Sequence, residues 1–187
     1  MPSLIIIGGP NGSGKTTLTK YLIQKGRIKS PVINPDEIAL TELGGYEFHI
    51  GAARLALARR KDAINQNREI AFETTFSGKS EINDAIAAKT AGYKLILYYV
   101  ALQSSLDNLI RVQEREANAG HSVESEDILR RHENSRLNLY NYLNLFDTAY
   151  LFDNSGEERS RVAIFNNGKL GWLNPKHKEH PFFKELF

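Results

Sequence analysis

No stretch of the chain constrains it more than Gly9-Pro10-Asn11-Gly12-Ser13-Gly14-Lys15-Thr16-Thr17. It follows an apolar run, Leu4-Ile5-Ile6-Ile7, and opens a segment predicted to be helical from Thr16 to about Lys25. Strand, glycine-rich turn, helix is the setting in which G-x-x-x-x-G-K-[ST] forms a phosphate cradle. The glycines let backbone N–H groups face inward and keep Cβ atoms out of a phosphate's path. The helix behind adds unpaired N–H groups and the positive end of its dipole. Lys15 supplies a point charge for the outer phosphates, and Thr16 a hydroxyl for Mg2+. The expected ligand is therefore a nucleoside triphosphate with its metal.

The rest of the chain is that of an ordinary globular protein. It has 187 residues, 41% hydrophobic and 25% charged, enough for one domain with a sizeable core. A net charge of +2 suits an anionic small molecule but gives no nucleic-acid signature. The clusters Arg59-Arg60-Lys61 and Arg130-Arg131-His132 read as helix surface, so a nucleic-acid partner is not expected. There is no cysteine, which excludes a disulfide framework and a thiolate metal site. No apolar run reaches membrane-spanning length, and the N-terminus lacks the pattern of a secretory leader, so a cytoplasmic location is expected.

Strands and helices alternate along the chain. Strands are predicted at Ser3–Gly8, Val32-Ile33-Asn34, Ile70-Ala71-Phe72-Glu73, Lys94 to Leu102 and Ala149 to Asp153. Helices are predicted over Thr16 to Lys25 with an apolar stripe of Leu18, Tyr21 and Leu22, about Glu47 to Asn67, Lys79 to Thr90 with Ser77 as cap, around Leu106, Leu109 and Ile110, and about Glu126 to Asn144. The residues from Leu40 to Tyr46 read as loop. The alternation predicts an α/β fold, a parallel five-stranded sheet with helices on both faces. Asn166-Asn167-Gly168 signals a type I′ turn, so a C-terminal β-hairpin is expected at one sheet edge. The tail from Asn174 to Phe187 either packs back or is loosely held. Residues 1–155 are read as the catalytic domain with a lid at about 111–131, and 156–187 as hairpin and tail on the same domain.

Ligands of such sheets sit beyond the carboxyl ends of the strands. Asp36, after the second strand, is placed to hold an acceptor hydroxyl or, alternatively, only to cap a short helix. Glu73 either orients a metal-bound water or binds the acceptor, and Thr75 adds a hydroxyl. Arg111 and Arg115 share a helix face, and Arg130 and Arg131 follow a break at Asn118-Ala119-Gly120-His121-Ser122. Fixed arginines suit the charge that develops on a transferring phosphoryl group, and a glycine break between them suits a lid. Arg115 and Arg131 are the favoured pair. His121 either stabilises the turn or touches ligand. Asp153-Asn154-Ser155 comes too late to be a magnesium-holding acidic motif and reads as a turn or adenine-side wall. No Ser/His/Asp arrangement and no metal cluster is evident.

Several of these residues resemble one family. Gly9–Thr17, Asn34-Pro35-Asp36-Glu37, Phe72-Glu73-Thr74-Thr75-Phe76-Ser77-Gly78, and the pattern Arg111, Arg115, Gly120-His121, Val123, Ile128, Arg131 are similar to the zeta-toxin family of P-loop kinases, in its compact stand-alone bacterial branch. Ile38-Ala39 stand where a basic residue is common in that family. The resemblance spans about Ser3 to Ser155. It implies a P-loop NTPase fold of nucleotide-kinase type and ATP/Mg2+-dependent phosphorylation of a hydroxyl on a small molecule, a UDP-N-acetylsugar in the characterised toxins. By position it implies Asp36 as base, Lys15 on the phosphates and Thr16 on Mg2+. It implies Glu73 and Thr75 at the acceptor and Arg115 and Arg131 as phosphate clamps. A separate antitoxin protein is an implied partner. The alternative is an ATP-binding regulatory or toxin-relic module with little turnover.

Overall fold

The structure, a computed structural model, describes residues 1–117 and 124–187. The predicted break at Gly120, with His121 and Val123, lies outside them. Seven strands form one sheet: β1 (Ser3–Gly8), β2 (Val32–Ile33), β3 (Ile70–Thr74), β4 (Lys94–Ala101), β5 (Thr148–Asp153), β6 (Ser160–Asn166) and β7 (Lys169–Leu173), in the order β2-β3-β1-β4-β5-β6-β7. The first five are parallel, and β6 and β7 continue the sheet antiparallel. The expected hairpin lies at a sheet edge, where β6 pairs with β5, so the sheet has seven strands rather than five. Asn167 and Gly168, between β6 and β7, both have positive φ (49° and 72°), as a type I′ turn demands.

The helices are α1 (Lys15–Gln24), α2 (Pro35–Thr41), α3 (His49–Asn65), α4 (Ser80–Thr90), α5 (Ser105–Ala117) and α6 (Ser125–Tyr142). Side chains of a strand point alternately to the two sheet faces. In β1, Leu4 and Ile6 enter one core with Phe72, Leu97, Tyr99 and Leu139, while Ile5 and Ile7 enter another with Leu18, Leu22 and Val100. Both faces are covered, which is why β1 is apolar without alternation. Gly26 and Gly92 stop α1 and α4 in left-handed conformation, φ 65° and 80°.

Three local expectations change. Tyr21 is 43% exposed, its ring lying 4.9 Å from the Arg159 guanidinium, and Thr19 takes the buried position. The helix expected around Leu106, Leu109 and Ile110 is α5, whose buried residues include Asn108 and Val112 while Leu106 and Ile110 are exposed. Arg60 is buried, 2.9 Å from Asp84 of α4 and 4.5 Å above the Phe72 ring, so its basic cluster is only partly surface. Ser77 does not cap α4. Glu81 does so, accepting from the Gly78 N–H at 3.0 Å.

The tail packs back. Phe182 and Phe183 are buried beside Tyr99, and Tyr140 of α6 donates to the Phe182 carbonyl at 2.6 Å. No described helix is long and apolar enough to cross a membrane.

Candidate active site

The nine-residue motif turns between β1 and α1 at the carboxyl end of the sheet's centre. Its conformation requires glycine: φ is 149° at Gly9, 73° at Gly12 and 96° at Gly14, and a Cβ on Gly9 would meet the Val100 carbonyl oxygen at 2.1 Å. No side chain caps α1, whose N-cap is Gly14, so its first N–H groups are left for a ligand.

The outer wall of the turn is held by residues that the motif does not contain. Asn108 of α5 donates to the Asn11 carbonyl at 2.5 Å. Asn154, just past β5, donates to the Ser13 carbonyl at 2.9 Å, and Arg111 donates to the Asn154 carbonyl at 2.9 Å. Arg111 is thereby a strut of the cradle. Asn108 carried no sequence signal, since it differs from a surface asparagine only in being fully buried.

Inside the cradle Lys15 donates to the carbonyls of Gly9 and Pro10 at 2.9 and 3.0 Å. Burial lowers its ammonium pKa to about 8. Glu73 and Asp36 oppose that shift, and Arg115 and Arg131 add to it. These four residues lie on β3, α2, α5 and α6.

Thr16, on the first turn of α1, donates its hydroxyl to Glu73 of β3 at 3.0 Å. Glu73 is 5% exposed, and that bond meets part of the need of a buried carboxylate. A hydroxyl and a carboxylate at the cradle's mouth form a set of hard oxygen donors, the kind Mg2+ takes. The sequence left Glu73 between metal and acceptor, and its hydrogen bond is to the metal-side threonine.

Asp36 is exposed on the first turn of α2. The cap of that helix is Asn34, whose side chain accepts from the Asp36 N–H at 3.0 Å, with Pro35 as first helical residue. The capping alternative for Asp36 is therefore overturned. Thr75 lies in the loop after β3, with its hydroxyl 2.8 Å from that of Ser77. Arg130 and Arg131 both contact Asp127, at 2.5 and 3.1 Å. Pro10, Gly12 and Thr17 sit on the cradle and first turn of α1, with Thr17 exposed.

Two concavities border the site. One, about 740 Å3, runs from Thr16 and Glu73 along the β2 edge beneath α2 and α3. The other, about 450 Å3, lies beside the cradle between Gln103, Asp107, Arg111 and Ser155.

Asp153, His177, His180 and Ser160 come together at the end of β5, so the expected absence of such a grouping is corrected. It joins strand to tail, and residues that far apart in sequence gave no motif. The Phe182 N–H donates to His180 Nδ1 at 3.2 Å, which leaves the ring proton on Nε2, 3.2 Å from Asp153 Oδ1. A protonated Nε2 is no metal ligand. His177 Nε2 is 2.7 Å from Ser160, but its Nδ1 is 3.7 Å from Asp153, too far for a triad hydrogen bond. The cluster is a clasp for the tail.

The strand order, the glycine cradle and the Thr16–Glu73 pair together define a P-loop kinase of the nucleotide-kinase type. The chain matches the Zeta toxin family over residues 1–167, and it belongs to that family. It is 33% identical over 124 residues to an uncharacterised protein of Haemophilus influenzae, covering 65% of this chain and 86% of that one. Its fold is similar to the crystal structure of AvrRxo1-ORF1:-ORF2 with ATP, at TM-score 0.67 and 17% identity over 97% of this chain. It spans 64% of that chain's length. It is also similar to the PezAT toxin–antitoxin system of Streptococcus pneumoniae, at TM-score 0.62 and 18% identity, covering 100% of this chain and 87% of that one.

Proposed function

We propose that this chain transfers the terminal phosphoryl group of ATP to a hydroxyl of a small molecule, and that the acceptor is a UDP-N-acetylsugar. The observation that carries the reading is the glycine cradle with the Lys15 ammonium held inside it and the Thr16–Glu73 hydrogen bond of 3.0 Å beside it.

The cradle amides and the start of α1 hold the phosphate tail. Lys15 exchanges its two carbonyl partners for phosphate oxygens. Thr16 and Glu73 are the residues that would hold Mg2+, which when bound would neutralise phosphate charge. Asp36 takes the acceptor's hydroxyl proton as the new O–P bond forms and the bond from the terminal phosphorus to ADP breaks. Arg115 and Arg131 offset the charge that spreads over the transferring group. Glu73 and Thr75 line the acceptor side. The base of ATP rests against the hollow between Gln103, Asp107, Arg111 and Ser155. Residues 1–155 form the kinase domain in this reading, which places the protein in the cytoplasm beside its nucleotide. PezAT is a toxin–antitoxin system, and that likeness supports a separate antitoxin as partner.

The test is incubation with Mg2+, ATP and a panel of UDP-sugars, with mass detection of a phosphorylated acceptor. Transfer is expected for the wild type and absent for Asp36→Ala, with ATP affinity kept. Undiminished transfer by Asp36→Ala removes its role as base. ATP uptake without transfer to any sugar favours the regulatory module, and no uptake overturns both.

A further inference from the structure

Arg131, Ser135 and Asn138 lie at i, i+4 and i+7 of α6, on one helix face. The Arg131 guanidinium lies 3.1 Å from Asp127 of the same helix, and its charge adds a little to the burial-driven lowering of the Lys15 pKa. The two residues below it hold the loop that follows β3. Ser135 is fully buried and donates to the Thr75 carbonyl at 2.6 Å. A serine hydroxyl has one proton, so Tyr99, 2.6 Å from the same oxygen, is the donor there. Burial drives the Tyr99 phenol pKa far up, which the Ser135 bond only partly offsets, so that donor is permanent. Asn138 spends both amide hydrogens on the loop, to the Phe76 carbonyl at 3.0 Å and the Gly78 carbonyl at 2.9 Å. From the other side Glu81 accepts from the Thr74 hydroxyl and the Gly78 N–H, each at 3.0 Å. Between these anchors Phe76 sits in left-handed conformation, φ 58°, with its ring fully buried. The loop has little slack, and three of its carbonyls end on the helix that carries Arg131.

We propose that Ser135 and Asn138 are positioning residues that join the acceptor loop to the arginine helix, so that engagement of phosphate by Arg131 and alignment of Thr75 are one event. The proposal rests on the kinase reading of the site. If the two side chains were only struts, they would steady the loop equally with and without nucleotide. Coupling instead makes the loop respond to a ligand that it does not touch.

Hydrogen exchange on the full chain, with and without Mg2+ and the β,γ-imido analogue of ATP, separates these cases. In the wild type the analogue is expected to slow exchange in the peptide 9–17 and, by about threefold or more, in 74–80. Asn138→Ala keeps the first response and loses the second, and Arg131→Ala also loses the second. Ser135→Ala serves if Asn138→Ala does not fold, and Asn138→Gln, which retains both amide hydrogens, recovers part of the response. Slowing of 74–80 that persists undiminished in the alanine variants overturns the coupling. So does its absence from a wild type whose 9–17 peptide is protected. A wild type with no protection of 9–17 overturns the kinase reading, and the coupling falls with it.

Discussion

The Thr16 hydroxyl, on the first turn of α1, and the Glu73 carboxylate, near the end of β3, meet at 3.0 Å. Glu73→Gln keeps the shape and an oxygen acceptor but removes the charge that a divalent ion needs. The Mg2+ concentration that half-saturates ATP turnover should rise roughly 10-fold or more. An unchanged Mg2+ midpoint in a magnesium titration would return Glu73 to the acceptor side alone.

The Lys15 ammonium, lowered to about 8 by burial, binds anionic phosphate best when protonated. ATP binding near pH 8 should therefore draw in roughly half a proton, and more as pH rises toward 9. Calorimetry in buffers of different ionisation enthalpy reads this directly. Lys15→Met should abolish the uptake and weaken binding. Buffer-independent heats in the wild type would contradict the assignment.

Asn154 braces the cradle through the Ser13 carbonyl. Asn154→Ala removes one hydrogen bond worth about 1 kcal/mol, so ATP affinity should fall about fivefold while the melting temperature moves by only a few degrees. Equal affinity for the variant and wild type would show that the brace is dispensable.

Burial pushes the Asp153 carboxyl up, but hydrogen bonds from His180 and Ser155 overcome this and hold its pKa at about 2, against 3.8 for the free group. A depressed carboxyl stabilises the fold above the unfolded pKa, and that stability is lost as pH falls from about 4 through 2. The contribution is about 2 kcal/mol. Asp153→Asn should flatten this acid limb in denaturant titrations at pH 2 to 5. A limb as steep as in the wild type would assign the acid sensitivity elsewhere.

Arg60 and Asp84 form a buried pair at 2.9 Å. Removing one partner strands a charge, so Arg60→Ala should cost roughly 3–5 kcal/mol in urea unfolding. Replacing both with apolar residues of similar volume should cost far less.

What could be read in advance was local. The cradle is contiguous, and its glycine torsions are as its spacing requires. Asp36 and Glu73 could be chosen because strand ends in such sheets face the ligand, and Arg115 and Arg131 because they flank a glycine break and fit the family pattern. Partnerships that depend on packing were not legible. Asn108, Asn154 and Ser135 are ordinary polar residues whose roles come from the backbone carbonyls that the fold sets before them. Leu106 and Ile110 marked the helix correctly, but which face of α5 is buried, the one with Asn108 and Val112, comes from packing. Both strands of the hairpin were expected, but the signal states the turn and not that β6 would pair with β5 and bring the main sheet to seven strands.

The rings of Phe182 and Phe183 finish a wall around Tyr99, and Tyr140 of α6 ties to the first of them. On a ribosome the nucleotide cradle emerges early, whereas those rings emerge among the last of the residues described. A nascent chain can thus assemble its central strands while the helix bearing Arg131 still lacks its backing. The packing that backs the helix bearing Arg131 is therefore complete only once those late rings have folded onto Tyr99.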